Sequence, residues 1–272
     1  MPEKPEVVTV ANTLKRQVLG KVITDCQVFW DNIIAYPTVD EFKKEIKNQK
    51  ILDITTRGKW IVFELSKDLL LVHLRMEGKF FFRKIDDSKN KHEHVFFTLD
   101  NDISFRFHDV RKFGKMYLLD KKSAYTEKPL CELGLEYDDP LLNADYLYSK
   151  IHSKKLPIKT ILLDQSIIAG IGNIYDDEIL FLSHISPLRR ADSITKQECD
   201  VIISNTREVL HDAIKLGGTT IKSFTSSEGV HGLFQNKLSV HGKVGDCPVC
   251  GSQTIKIKVG GRGTYYCPNC QK

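Results

Sequence analysis

The sequence predicts an α+β chain of several modules: an N-terminal β-sandwich or barrel-like domain entered through one helix, a helical domain, and a small C-terminal β-hairpin carrying a zinc ribbon. Three observations carry this. The apolar period is helical over the first twenty or so residues and then changes to two. It turns helical again beyond an acidic, proline-bearing stretch at residues 134–143. Four of the seven cysteines then close the chain as two Cys-x-x-Cys pairs.

Val7, Val10, Leu14, Val18 and Leu19 lie at helical spacing within residues 5–19, and Gly20 ends the pattern, so one amphipathic helix opens the chain. From Val22 the residues alternate through Thr24, Cys26, Val28 and Trp30, and similar runs follow at 60–65, 69–74, 79–83, 94–99, 103–107 and 114–119. Polar turns such as Asp86-Asp87-Ser88-Lys89-Asn90 and Asp100-Asn101-Asp102 separate them. The segment GLEYDDPLLN marks a boundary, giving a first domain at 1–135, a linker at 136–144 and a helical domain at 145–237. Helices are predicted at 145–151, 157–164, 173–182 and 195–216; the last shows Val201, Ile202, Val209, Ala213 and Ile214 at mixed three and four spacing before Gly217-Gly218 stops it. In the tail, 238–272, Ile255, Ile257 and Val259 lead into the turn Gly260-Gly261-Arg262-Gly263, and the chain returns through Thr264 to Tyr266.

With 272 residues, 41% apolar and 28% charged, the chain can bury a core and is not a disordered tail. No apolar run reaches the roughly 18–20 residues of a membrane span, and the charged start MPEKPEVV lacks a secretory signal's apolar stretch. A soluble, cytoplasmic protein, monomeric and away from membranes, is the expectation. The net charge of +5 allows a polyanionic partner without requiring one. Cys26, Cys131 and Cys199 are scattered singles, which argues against a disulfide framework. Cys247, Cys250, Cys267 and Cys270 form two knuckles 16 residues apart, spaced to close on one tetrahedral Zn²⁺. A thioredoxin-like redox pair would need a single motif within a βαβ pattern. His92-x-His94 offers a second metal reading, but no third ligand accompanies the pair.

Four thiolates leave zinc no open position, so the ribbon is structural and its function lies in what it holds up. Arg262, at the hairpin tip among glycines, has the planar charged fork that grips a phosphate; a solvated turn arginine is the alternative. Ala169-Gly170-Ile171-Gly172-Asn173-Ile174-Tyr175 places glycines before a helix whose free N–H groups would face an anion, with Asn173 as N-cap the purely structural reading. It lacks the third glycine of a dinucleotide fingerprint and the Gly-Lys-Ser/Thr of a P-loop. At the N-terminus, removal of Met1 before Pro2 leaves a secondary amine. An α-amino group has a pKa of about 7.7–8.0 against about 10.4 for lysine, so much more of it is a neutral nucleophile near pH 7. Attack on a sugar carbon gives an iminium, an electron sink for later eliminations, and Glu3 and Glu6 in the same first turn can move protons. Alternatively both acids simply favour a helix start.

As a set, residues 2–10, His73-Leu74-Arg75-Met76-Glu77-Gly78, Lys91-His92-Glu93-His94-Val95, Asp109-Val110-Arg111-Lys112-Phe113-Gly114, Leu163-Asp164-Gln165 through Glu178, Gly217-Gly218-Thr219-Thr220 and Gly261-Arg262-Gly263-Thr264 with its cysteines resemble bacterial formamidopyrimidine-DNA glycosylases, in order over essentially the whole chain. The resemblance implies a helix-two-turn-helix over 157–182 and a bifunctional glycosylase and abasic-site lyase of base excision repair. Its substrate would be duplex DNA containing oxidised purines or abasic sites. Pro2 would be the nucleophile, Glu3 the general acid/base and Glu6 a further acid of the same motif. Lys59 would bind the phosphate beside the lesion at the catalytic centre; His73, Asn173, Tyr175 and Arg262 would be further phosphate contacts. Met76, Arg111 and Phe113 would fill the void left by the flipped nucleotide, with Arg111 on the orphaned cytosine. The same trio argues against the sister endonuclease VIII type, which favours oxidised pyrimidines. A non-catalytic binder of damaged DNA or junctions is the competing class. Three departures stand out: Lys4 for leucine, Val8 for glutamate and His241 for tyrosine. The 222–232 segment, in a position variable within the family, carries no readable lesion preference.

Overall fold

The structure, a computed structural model, describes residues 1–219 and 232–272. Thr220 and residues 222–231 of the segment singled out above therefore lie outside the described residues. The chain divides into two compact units, Met1–Cys131 with Gly217–Gly232, and Glu132–Leu216 with Leu233–Lys272. The predicted α+β class, with its sandwich, helical part and cysteine-bearing hairpin, is what the chain adopts.

In the first unit, α1 (Lys4–Val18) buries Val7, Val10, Ala11, Leu14 and Val18. This is the stripe read from the sequence, and each fully buried aliphatic side chain contributes about 1.5–3 kcal/mol. Nine strands follow: β1 (Val22–Val28), β2 (Ile34–Tyr36), β3 (Gln49–Arg57), β4 (Trp60–Leu65), β5 (Asp68–His73), β6 (Lys79–Lys84), β7 (Glu93–Leu99), β8 (Ile103–His108) and β9 (Lys115–Asp120), with α2 (Val39–Glu45) between β2 and β3. Their order is β2-β9-β5-β4-β3-β1-β7-β8-β6, antiparallel except for the β2/β9 edge. The β1/β3 join is only the pairs Val22↔Lys50 and Ile23↔Gln49. The two wings on either side of it face each other: Phe63 of β4 stacks on Phe105 of β8 at 6.0 Å and meets Phe80 of β6 at 6.1 Å. Arg106 is buried in this unit, 3.3 Å from Glu93 and 4.1 Å above the Phe96 ring, and its guanidinium donates to the carbonyls of Lys84, Ile85 and Asp87. The 84–88 turn is thus closed by a charge that is fully paired, as a buried guanidinium must be.

The second unit contains α3 (Ala144–Ile151), α4 (Ile158–Leu162), α5 (Asn173–Leu182), α6 (Lys196–Lys215) and the hairpin β10 (Ile255–Val259) and β11 (Arg262–Tyr266). Leu147, Ile151, Ile161, Leu162, Ile179, Ile202 and Leu210 form its main core. α6 begins with a capping box between Thr195 and Glu198. The same Glu198 pairs with Arg189 through both carboxylate oxygens.

Candidate functional site

Strand register gathers the first unit's candidate residues at one end of its sheet. Gly58 and Lys59 are the two-residue turn of the β3/β4 hairpin, closed by Arg57↔Trp60, with Gly58 at φ +54° as such a turn requires. Trp60 pairs with His73 at the end of β5, and His73 pairs with Lys115 at the start of β9. The turn carrying Met76 and the loop carrying Arg111 and Phe113 therefore leave the sheet beside Lys59. Lys4, near the start of α1, donates to Thr56 Oγ1 at 2.9 Å, which fixes the helix's first turn to β3 three residues before Lys59.

That first turn is buried: Pro2 is enclosed, Glu3 is 3% exposed and Glu6 fully buried. Glu3 is the N-cap, and its N–H donates to Glu6 Oε2 at 2.9 Å. Glu6 Oε1 accepts the Thr219 N–H at 2.8 Å and the Thr219 hydroxyl at 3.1 Å. Gly218, at φ +78°, lies so close that a Cβ there would stand 2.5 Å from Glu6 Oε1. Glu6 is thus an acceptor that locks the Glu3 peptide and the 217–219 turn together.

Lys59 is only 6% exposed, where a lone turn lysine reads as solvated. Its ammonium and Arg75, together with burial as the largest cause, push His73 down to about 3. His73 Nδ1 accepts the Arg75 N–H at 2.9 Å, so the neutral ring carries its proton on Nε2 as a hydrogen-bond donor. Met76 is half-buried, whereas Arg111 and Phe113 are exposed, with the guanidinium 4.7 Å from the ring centroid. Asp109 builds this loop: its carboxylate accepts the N–H groups of Arg111, Phe113 and Gly114 at 3.0, 2.8 and 2.8 Å. Arg75 and Lys112 both have positive φ, 54° and 58°, directly beside the three side chains expected to fill the DNA void. Non-glycine residues adopt this conformation at a cost of about 1–2 kcal/mol, which the Asp109 hydrogen bonds offset at Lys112.

His94 uses Nε2 on the Asp109 carbonyl at 2.9 Å. It braces the loop instead of joining His92 on a metal, and among the described residues the one group placed to hold a metal ion is the cysteine set.

In the second unit, α5 is capped by Gly172, so Asn173 is its first helical residue and not the N-cap. Asn173 Nδ2 donates to the Gly263 carbonyl at 2.9 Å, which brings the helix N-terminus beside Arg262. Arg262 is exposed at the hairpin tip, and Gly260 packs so close to α4 that a Cβ would lie 2.6 Å from Thr160 Oγ1. Tyr175 departs from expectation: it is fully buried and packs on Phe234 at 5.6 Å, so it holds α5 from inside and offers no surface for a phosphate. Three acids to which the sequence analysis gave no role of their own do the joining. Glu178 accepts the N–H groups of Ser239, Val240 and His241 at 2.6, 2.9 and 2.7 Å. Asp177 holds Lys159 at 2.5 Å, His241 at 2.7 Å and the Tyr265 N–H at 3.2 Å, with Asp176 3.5 Å from the same ammonium. His241, one of the three departures noted in the sequence, therefore spends Nδ1 on a hydrogen bond with Asp177 Oδ2 inside the unit.

The Sγ atoms of Cys247, Cys250, Cys267 and Cys270 all lie within 4.8 Å of one another. The Cys247–Cys270 and Cys250–Cys267 separations are 3.8 and 3.6 Å. Four thiolates at about 2.3 Å around a tetrahedral ion stand about 3.8 Å apart, so the donor set suits one structural zinc.

Residues 1–116 match the formamidopyrimidine-DNA glycosylase N-terminal domain, 133–225 the H2TH domain of the same enzymes, and 247–272 the zinc finger found in FPG and IleRS. The formamidopyrimidine-DNA glycosylase of Oceanobacillus iheyensis is 45% identical over 100% of this chain and 98% of its own length. That of Bacillus cereus is 42% identical over 100% and 99%. Among solved structures, the Lactococcus lactis Fpg (MutM) complex with N7-benzyl-Fapy-dG DNA superposes at a TM-score of 0.92 with 34% identity, covering 100% of both chains. Its complex with abasic-site DNA gives 0.91 over 99% of each. With three domain profiles in order along the chain and relatives matched over its full length, this chain belongs to the formamidopyrimidine-DNA glycosylase family.

Proposed function

We propose that the chain is a bifunctional DNA glycosylase and abasic-site lyase that removes oxidised purines, 8-oxoguanine and formamidopyrimidines, from duplex DNA. The observation that carries the reading is the buried first turn of α1, where Glu3 beside Pro2 is fixed through its own N–H by Glu6. That bond belongs to the capping box of a helix start; beyond it, Glu6 Oε1 ties the same turn to Thr219, and such enclosure and fixing suit a reacting group. The solved complexes of the Lactococcus lactis relative with abasic-site and N7-benzyl-Fapy-dG DNA support the substrate class. We assign the chemistry to a catalytic module at 1–135, joined through 136–144 to a helical module at 145–237 and the zinc ribbon at 238–272.

Once Met1 is removed, the Pro2 nitrogen attacks the sugar carbon bearing the damaged base. The glycosidic bond breaks, and the base leaves with its electron pair and a proton. The Pro2 nitrogen loses its proton and is then bonded to a carbon that still carries the ring oxygen; that carbon–oxygen bond opens as Glu3 gives the oxygen a proton, and the nitrogen lone pair closes the iminium. Loss of a proton from the neighbouring carbon then feeds electrons toward the iminium and expels one phosphate, and a second such elimination expels the other, so the strand is cut on both sides. Glu3 moves protons between leaving groups and sugar oxygen. Lys59, neutral His73, Asn173 and Arg262 grip phosphates, while Met76, Arg111 and Phe113 replace the lost stacking, offsetting the few kcal/mol that flipping costs. Zinc takes no part beyond holding the hairpin that carries Arg262.

The test is a panel of duplexes incubated with enzyme shown to lack Met1. Cleavage of 8-oxoguanine opposite cytosine, leaving phosphate at both ends of the gap, is the expected result. Preferential cleavage at oxidised pyrimidines would move the chain to the endonuclease VIII type, and binding without any cleavage would make it a non-catalytic binder.

A further inference from the structure

Beside the loop that carries Arg111 and Phe113, the first unit exposes two adjacent aromatic rings, Phe29 and Trp30, at 44% and 37%. Both follow β1, and the Phe29 N–H donates to the His94 carbonyl at 2.8 Å. The Phe29 ring meets Phe96 edge-on at 4.8 Å, so it is anchored on one side and open on the other. Each ring carries a lysine. Lys89 Nζ stands 4.8 Å from the Phe29 centroid, and Lys112 Nζ stands 3.8 Å from that of Trp30. Lys112 lies between Arg111 and Phe113, and Lys115 donates to the Asn32 carbonyl, so the 29–32 segment is tied to the middle of that loop and to the strand residue that follows it. Arg111 resting on Phe113 repeats the pattern. The surface is thus a strip of alternating rings and cations, with Asp31 at its edge as the one acid of the 29–32 segment.

Exposed aromatic pairs are uncommon on a surface with no partner. Rings interleaved with lysines have the chemistry of a nucleic-acid backbone contact: ammonium groups for phosphates, and flat apolar faces for sugars. We propose that Phe29, Trp30, Lys89 and Lys112 form a strip that binds the sugar-phosphate backbone of the DNA beside the void-filling loop. The inference rests on the reading of this protein as a DNA glycosylase and extends its footprint beyond the phosphate contacts already assigned. On binding, Lys112 and Lys89 leave the ring faces for phosphates, and the Trp30 face packs on deoxyribose.

The probe is an abasic-analogue duplex titrated into protein shown to lack Met1. Wild-type tryptophan fluorescence should change on titration. Because Trp60 lies beside His73, the Trp30→Phe variant is titrated in parallel, and the difference between the two curves isolates Trp30. Trp30→Ala should raise the dissociation constant about fivefold, the low end for losing an aromatic contact to nucleic acid, with the salt slope unchanged. Lys112→Ala and Lys89→Ala should each lower the salt slope by about one. If these variants bind with unchanged affinity and slope, and Trp30 fluorescence is indifferent to DNA, the strip is overturned while the glycosylase reading stands. If wild type neither binds nor is trapped on abasic DNA, the glycosylase reading falls and takes the strip with it.

Discussion

Replacing Glu6 by glutamine removes one acceptor from a place where three hydrogen bonds are accepted. The carboxylate receives the Glu3 N–H at 2.9 Å on one oxygen, and the Thr219 N–H at 2.8 Å and hydroxyl at 3.1 Å on the other. An amide has one oxygen and one NH₂, so one side must face a donor with a donor. The less costly orientation keeps the oxygen on Thr219, leaving the buried Glu3 N–H without an acceptor on Glu6. A buried group that loses its partner costs about 1–3 kcal/mol. Glu6→Gln should therefore destabilise the first unit by about 2 kcal/mol, equivalent to roughly 4–8 °C in Tm for a chain of this size. Urea unfolding followed by tryptophan fluorescence reads that unit selectively, because both tryptophans, Trp30 and Trp60, lie within it. Gly218→Ala, which thrusts a Cβ against the same carboxylate at a positive φ, should cost at least as much. A Glu6→Gln protein within about 0.5 kcal/mol of wild type, below the range for an orphaned donor, would refute the reasoning.

Three further outcomes follow from the same geometry. His73 is held at about 3, below its ordinary value, so the unfolded chain takes up a proton first as pH falls from about 6.5. Stability from His73 is then complete above that range and is lost on acidification. Between pH 6 and 4, wild type should lose about 1.4 kcal/mol per pH unit more than His73→Gln, and equal slopes in urea unfolding would refute the buried neutral ring. Cys267→Ser should lower zinc below one per chain by metal analysis and weaken DNA binding by loosening Arg262; a fully active preparation without zinc would contradict this. Arg111→Ala should narrow the rate difference between 8-oxoguanine opposite cytosine and opposite adenine, whereas Lys59→Ala should weaken binding to every duplex and lower the salt slope by about one. Equal, partner-independent losses in both would reduce Arg111 to a backbone anchor.

What the sequence made legible was whatever repeats. α1, the helices at 144–151, 173–182 and 196–215, the alternating strands and the cysteine knuckles all carry a period or a spacing, and the structure places them within a residue or two of expectation, the short α4 excepted. β2, α2 and β3 went unseen because the first is only three residues long, the second buries a single side chain, and the third alternates for only four residues, beginning on a polar one, before its register shifts. α2 buries Phe42 alone, and β3 shifts register between Ile51 and Asp53 while burying a polar Gln49 on Asp68 and the Glu45 carbonyl. The structural partners of Lys59, Glu6, Asp177 and Glu178 were hidden for a related reason. In a turn or a helix a charged residue looks solvated, and only the fold reveals which backbone N–H groups or ammonium it was placed to meet. Asp109 and His94 could be read as family motif, but their work of holding the Arg111–Phe113 loop through backbone groups leaves no sequence signal. Tyr175 lies in a motif beside Asn173, yet successive helix residues point to different faces, and this one faces the core.

The reaction at Pro2 is tested most directly by borohydride reduction during turnover on an abasic-site duplex, followed by mass analysis of the cross-linked peptide. Protein lacking Met1 is expected to trap the DNA on an N-terminal peptide whose added mass sits on Pro2, and protein retaining Met1 should bind the duplex but trap none of it. An adduct on Lys59 or another lysine, or undiminished trapping by protein shown by mass to retain Met1, would contradict the assignment of the nucleophile.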